Sequence, residues 1–237
     1  MRNIPLLICL SFIILPGLAY SQEKDLFIYG LQVEQAEYRF GDENERLFNF
    51  DADAFAGNDD LKLRWLSSGE YDIRANSFER LENRFVLQRP VSDFFDVKAG
   101  FRIDTPAGKD RWYGVVGLAG LAPQWIEMDV DLFVSETGDI STRFDAEYDL
   151  LITNRLALTA SLELDAAFSN DPAIGIGKGV NKLETGLRLG YDLLDRMVSP
   201  YAGVVLEESF GKTRDFAEDE GEDTGGWRFV VGTRLVY

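Results

Sequence analysis

The stretch "GGWRFVVGTRLVY" (residues 225–237) closes the sequence on alternation. Trp227, Phe229, Val231, Leu235 and Tyr237 share one parity, and Arg228, Val230, Gly232 and Arg234 share the other. A period of two is that of an extended strand with one apolar face. Chain ends ordinarily fray, so an alternating run finished by an aromatic predicts a last strand held by a partner. In a closed barrel that partner is the first strand, and hydrocarbon tolerates no unpaired edge.

The same period recurs upstream. "WIEMDVDLFV" opposes Ile126, Met128, Val130 and Leu132 to Glu127, Asp129 and Asp131. "ISTRFDAEYDLLI" opposes Ile140, Phe144, Ala146, Tyr148 and Leu150 to Arg143, Asp145, Glu147 and Asp149. "RLALTASLELDAAF" sets leucines and Phe168 against Thr159, Ser161, Glu163 and Asp165, and "LETGLRLGYDLL" and "FDVKAGFRID" behave alike. A soluble sandwich has the same period, so alternation alone leaves that reading open. Run length separates the two. Several runs reach ten residues or more, which suits a tilted membrane strand rather than the usual soluble one.

Alternating runs fall near 26–39, 46–56, 60–67, 72–88, 94–105, 111–121, 125–135, 139–152, 155–168, 181–193, 200–210 and 226–237, about twelve strands, with 41–88 the least regular. Connections such as "GNDD", "LAPQ" and "TN" are compact, whereas "SNDPAIGIGKGVN" and "GKTRDFAEDEGEDTGG" are long. Short periplasmic turns and longer outer loops are the asymmetry of outer-membrane barrels. The fold expected is an all-β transmembrane antiparallel barrel over residues 22–237. Trp227, Phe229, Trp65, Trp112 and Phe168 are expected in an outer aromatic girdle, and Phe95, Tyr201 and Tyr237 in the periplasmic one.

Residues 1–21, "MRNIPLLICLSFIILPGLAYS", combine Arg2, an apolar run from Ile4 to Leu18 and small residues at Ala19 and Ser21. That is the form of a secretory signal peptide. A membrane anchor is the rival, disfavoured by Pro16 and the missing basic stop. Cys9 is the only cysteine and lies in this segment, so residues 22–237 hold no thiol. The chain of 237 residues has 24 Lys+Arg against 41 Asp+Glu, a net charge of −17, and no histidine. Such a balance repels nucleic acid and favours cations.

If the leucine faces meet lipid, the charges line the lumen. Glu127, Asp129, Asp131, Asp145, Glu147, Asp149, Glu163 and Asp165 are the candidate metal-contacting carboxylates, with Arg64, Lys98, Arg102, Arg143 and Arg188 beside them. The plain structural reading is mutual neutralisation in Arg–carboxylate pairs; the acid surplus predicts a residual negative lumen that concentrates cations. Without His or Cys after residue 21, tight imidazole or thiolate binding of copper or zinc is ruled out there, and oxygen donors suit weak, exchangeable divalent binding. Of three methionines, Met128 points to lipid and Met197 lies in a turn. The run "RDFAEDEGEDTGG" lacks EF-hand spacing and reads as a solvated charge run. Gly175, Gly177 and Gly179 lack the Lys-Ser/Thr of a phosphate loop and read as turn residues. With no histidine to act as general base, no enzyme is expected.

Five stretches carry a resemblance: "VEQAEYRFGD" (33–42), "GLAPQWIEMDVDLFVSETGDISTRFDAEYDLLITNRLAL" (120–158), "DPAIGIGKGVNKLETGLRLGYD" (171–192), "SPYAGVVLEESFG" (199–211) and "FAEDEGEDTGGWRFVVGTR" (216–234). They resemble the copper resistance protein B family of outer-membrane proteins. The resemblance implies copper resistance at the Gram-negative outer membrane, copper as the cargo, and a periplasmic copper-binding protein as a partner. Many family members carry a Met- and His-rich N-terminal segment, which this sequence lacks. The expected function is therefore a barrel, a monomer in lipid, that binds copper or other divalent cations weakly or passes them. The alternative is a plugged structural or interaction barrel with no transport role.

Overall fold

In a computed structural model, residues 26–41, 46–105, 110–221 and 223–237 are described. The expected signal peptide, residues 1–21, lies outside them. Twelve strands form one closed antiparallel barrel in which each strand pairs with its neighbours in sequence and β1 pairs with β12. They are β1 (Ile28–Phe40), β2 (Arg46–Gly57), β3 (Lys62–Asp72), β4 (Ser77–Pro90), β5 (Phe95–Asp104), β6 (Arg111–Ala122), β7 (Ile126–Ser135), β8 (Ile140–Leu151), β9 (Leu156–Ala167), β10 (Gly179–Tyr191), β11 (Val198–Ser209) and β12 (Gly225–Val236). No described helix is long and apolar enough to cross a membrane; the strands do so.

Closure rests on the stretch that opened the reading. Val33 pairs with Leu235 and Phe40 with Phe229. Beyond the strand's formal end, the Leu31 amide donates to the Tyr237 carbonyl (3.0 Å), and the Tyr237 amide donates to the Leu31 carbonyl (2.9 Å). The apolar parity faces outward: Leu187, Val116, Trp227, Phe229 and Val231 are exposed around the cylinder. Both termini of the described barrel lie at the end with the short turns.

Three expectations are corrected, and one connection gains a helix. The third strand continues through Ser67, Ser68 and Gly69 to Asp72, so the hairpin lies at 73–76. Ser-Ser-Gly reads as a turn, but Gly69 is a packing glycine: a Cβ there would lie 2.7 Å from the Phe50 ring. Trp65 stands near the short-turn end of β3, outside the outer girdle. It begins a lipid-facing stack through Phe85 (6.2 Å), Phe101 (5.3 Å) and Trp112 (5.9 Å), which follows the pairing register as far as Phe101 and then steps diagonally to Trp112. Tyr201 faces inward, buried, and donates its hydroxyl to Glu37 (3.0 Å). The charge run after β11 holds a helix, α1 (Gly211–Glu220), ended by Gly221 in the left-handed region (φ 74°). Its residues from Asp215 to Glu220 are largely exposed, as a solvated run should be.

Because β12 closes the ladder through its final residues, deleting residues 235–237 should abolish the compact, heat-modifiable band of the refolded barrel on SDS gels. Each backbone group left unpaired in hydrocarbon costs about several kcal/mol. A truncated chain that still runs as a compact band would contradict this role.

Candidate cation site in the barrel lumen

Alternation sends every second residue inward, and the register decides which of them meet. One inward-facing row is acidic across five adjacent strands. Asp129 on β7 stands opposite Asp145 on β8, Asp145 opposite Glu163 on β9, Glu163 opposite Glu184 on β10, and Glu184 opposite Glu207 on β11. Directly opposed like charges destabilise a sheet, so compensation must come from elsewhere. The next inward row toward the outer end alternates in sign: Asp131, Arg143, Asp165, Lys182. The row toward the short turns, Glu127, Glu147, Ser161, Gly186, carries no cation of its own.

Long basic side chains reach the acidic row mainly from its outer side and across the lumen. Lys98 on β5 donates to Asp129 (2.5 Å) and Asp131 (2.9 Å). Arg39 on β1 forks onto Glu184 (2.8 and 2.9 Å). Arg143 approaches Glu163 (3.5 Å) and bonds Asp165 (2.9 Å). Lys182 and Arg228 hold Glu207 (2.5 and 3.2 Å). Asp145, in the middle of the row, has no ion pair or hydrogen bond of its side chain among the described residues.

Above the row, toward the outer end, the lumen is filled. Glu82 receives three guanidinium groups: Arg84 (3.0 Å), Arg102 (2.9 Å) and Arg143 (3.3 Å). Arg102 also lies over the rings of Phe133 (4.6 Å) and Tyr113 (4.9 Å), which pack with Val86 and Val115. Glu82, Lys98, Asp131 and Phe133 are each only 1% exposed. Gly117, opposite Asp131, makes the space: a Cβ there would meet the Asp131 carboxylate at 2.1 Å. On the short-turn side of the row by register, Glu37 bonds Arg39 (2.8 Å), Arg188 (2.9 Å) and Tyr201.

Below the row lies a cavity of about 710 Å³. Glu34, Asp51, Asp53, Glu127, Asp145, Glu147 and Glu163 contribute carboxylates to its wall, and Phe94, Leu121 and Trp125 stand at its rim beside the short turns. Arg39, Arg64, Arg80, Arg84 and Arg143 line it as well.

All eight carboxylates singled out from sequence lie on lumen-facing positions, in three settings. Asp129, Asp145 and Glu163 share the acidic row. Asp131 and Asp165 belong to the alternating row and are ion-paired. Glu147 and Asp149 pair with Arg234, which reaches across from β12, while Glu127 faces the cavity unpaired among the described residues. No group of three or more Asp, Glu, His or Cys converges as a metal cage among the described residues. Sequence reading missed Glu34, Asp51 and Glu82 at the site. The cause is local: β1 carries a register shift between Val33 and Gln35, and the β3–β4 pairing another between Glu70 and Tyr71. Such bulges interrupt a strict period of two.

An apolar exterior, a charged interior and a closed ladder of twelve strands define an outer-membrane β-barrel. Solved porins share the fold: NanC superposes with a TM-score of 0.56 at 14% identity, covering 86% of this chain and 98% of that one. KdgM gives 0.51 at 10% identity, covering 88% and 99%. The chain belongs to the copper resistance protein B family, whose description, "Copper resistance protein B precursor (CopB)", matches residues 27–237. A copper resistance protein B homolog of Pseudomonas syringae pv. tomato is 36% identical over 79% of this chain, and the match spans 63% of that protein's length. Copper resistance protein B of Escherichia coli is 34% identical over 88% of this chain and 69% of its own. The protein is thus an outer-membrane member of a copper-resistance family.

Glu82 is the hub of the filled layer. Glu82→Gln should lower the stability of the refolded barrel by about 3–5 kcal/mol in urea titration, because three guanidiniums lose a buried counter-charge. Glu127→Gln, exposed and unpaired, should stay within about 0.5 kcal/mol of wild type. Equal midpoints for the two variants would overturn this ranking.

Proposed function

We propose that this barrel serves copper resistance by weak, exchangeable binding of copper(II) on the carboxylate wall of its lumenal cavity. The observation that carries the reading is the like-charged row through Asp129, Asp145 and Glu163, in which Asp145 makes no direct ion pair among the described residues and borders the cavity. Opposed carboxylates without full neutralisation lower the free energy of a nearby divalent ion. Oxygen donors alone make such association loose and exchangeable. Among first-row divalent ions the affinity order still favours copper(II). The protein acts without catalysis, as a monomer in lipid, and a periplasmic copper-binding protein is the partner that would exchange metal with it. A second reading, a structural or interaction barrel with no metal role, draws support from the ion pairs that cross the lumen, Arg143 to Glu82 and Arg234 to Glu147.

Copper titration of the refolded barrel separates the two. Saturable binding is expected for wild type, and the Asp145→Asn/Glu163→Gln variant should bind about tenfold more weakly, a loss of about 1.4 kcal/mol. Deleting the gene should lower copper tolerance. Absence of saturable binding together with an unchanged tolerance curve would leave the second reading in place.

A further inference from the structure

We infer that the lumen is a blind cup for cations: open at the short-turn end, sealed in its outer half, and not a pore. The inference rests on the reading of the cavity wall as the cation site and adds the side from which that wall is reached. Short turns assign the open end to the periplasm, so copper exchanges with the periplasm and does not cross the barrel.

Three observations carry it. First, residues that would line an open channel are dry. Glu82, Lys98, Asp131 and Phe133 are each 1% exposed. Water in a channel would wet these side chains. Second, the walls are tied together across the lumen between strands that are not neighbours. Arg143 on β8 reaches Glu82 on β4, Arg84 on β4 reaches Asp131 on β7 (2.6 Å), and Arg39 on β1 reaches Glu184 on β10. Third, guanidinium groups stand among the carboxylates of the cavity wall. Arg39, Arg64, Arg80, Arg84 and Arg143 all line it, and Arg64 pairs with Asp53. Fixed guanidinium groups oppose onward passage of a cation, as arginines do in selective pores.

The outer end is tied as well. Arg111 on β6 pairs with Asp171 in the β9–β10 connection, and Ser169 donates to Asp139 (2.7 Å) in the β7–β8 turn. Hydrogen bonds from Ser169 and Thr137 hold the Asp139 carboxyl below the usual range, which keeps it an acceptor. The Gly177 amide donates to Thr213 (2.9 Å), which fastens α1 to the same connection. A Cβ at Gly177 would sit 2.5 Å from Lys212, so that contact is close.

The test is planar-bilayer conductance of the refolded barrel in potassium chloride, with copper titration on the same preparation. Wild type is expected to be electrically silent while it binds copper. The Arg102→Ala/Phe133→Ala variant, its folding confirmed by heat-modifiable mobility, is expected to show cation-selective steps because it empties the filled layer. Steady cation current through wild type overturns the cup, whether or not the variant folds. A folded double variant that stays silent overturns the placement of the seal. Conduction with copper binding would sink the cup and spare the functional reading; silence without copper binding would do the reverse.

Discussion

In hydrocarbon a peptide N–H or C=O has no water to turn to, so every one in the membrane must find a partner within the protein. A sheet meets that demand only by closing on itself, and here closure is made by the last residues of the chain against the first strand. The exchange between Leu31 and Tyr237 carries the ladder to the final residue. From this follows the period of two, since a closed sheet offers one face to lipid and one to the lumen. The surplus of acids is then confined to a narrow interior.

Confinement of charge is the second constraint. Placing carboxylates on adjacent strands at one level would raise the energy of the fold unless cations reach them, and the reach is long. Arginine and lysine stems from β1, β4 and β5 extend across the lumen to acids on β7 and β10, and Arg143 on β8 reaches Glu82 on β4. Lys98, Arg143 and Lys182 reach the acidic row from its outer side, and Arg39 and Arg228 reach it from the other. The result is a barrel whose outer half is packed and neutralised like a protein core, and whose periplasmic half keeps a polar cavity. Filling and vacancy are therefore two outcomes of one arrangement of charge.

Membership of a copper-resistance family meets an unusual donor set in this chain. With no histidine, and its one cysteine at position 9, the barrel offers oxygen. Oxygen donors on a rigid wall, without convergence into a cage, favour fast exchange over storage. That chemistry is the basis of the loose, exchangeable site proposed for the lumen.

The sequence by itself determined the strand number, the inward or outward parity of β5 and of β7 to β10, and the oxygen-only chemistry, because each follows from residue type and local period. Glycine at 69 and the bulges in β1 and β4 concealed the hairpin at 73–76 and the inward acids Glu34, Asp51 and Glu82. A period of two cannot be read through an extra residue, nor a packing glycine told from a turn glycine. Helix α1 was hidden because its charged residues face water and show no apolar stripe. Only the tertiary structure decided which carboxylates stand opposite one another and which cations cross to meet them. Register and lumen-spanning contacts join residues dozens of positions apart, and no local pattern records such distances.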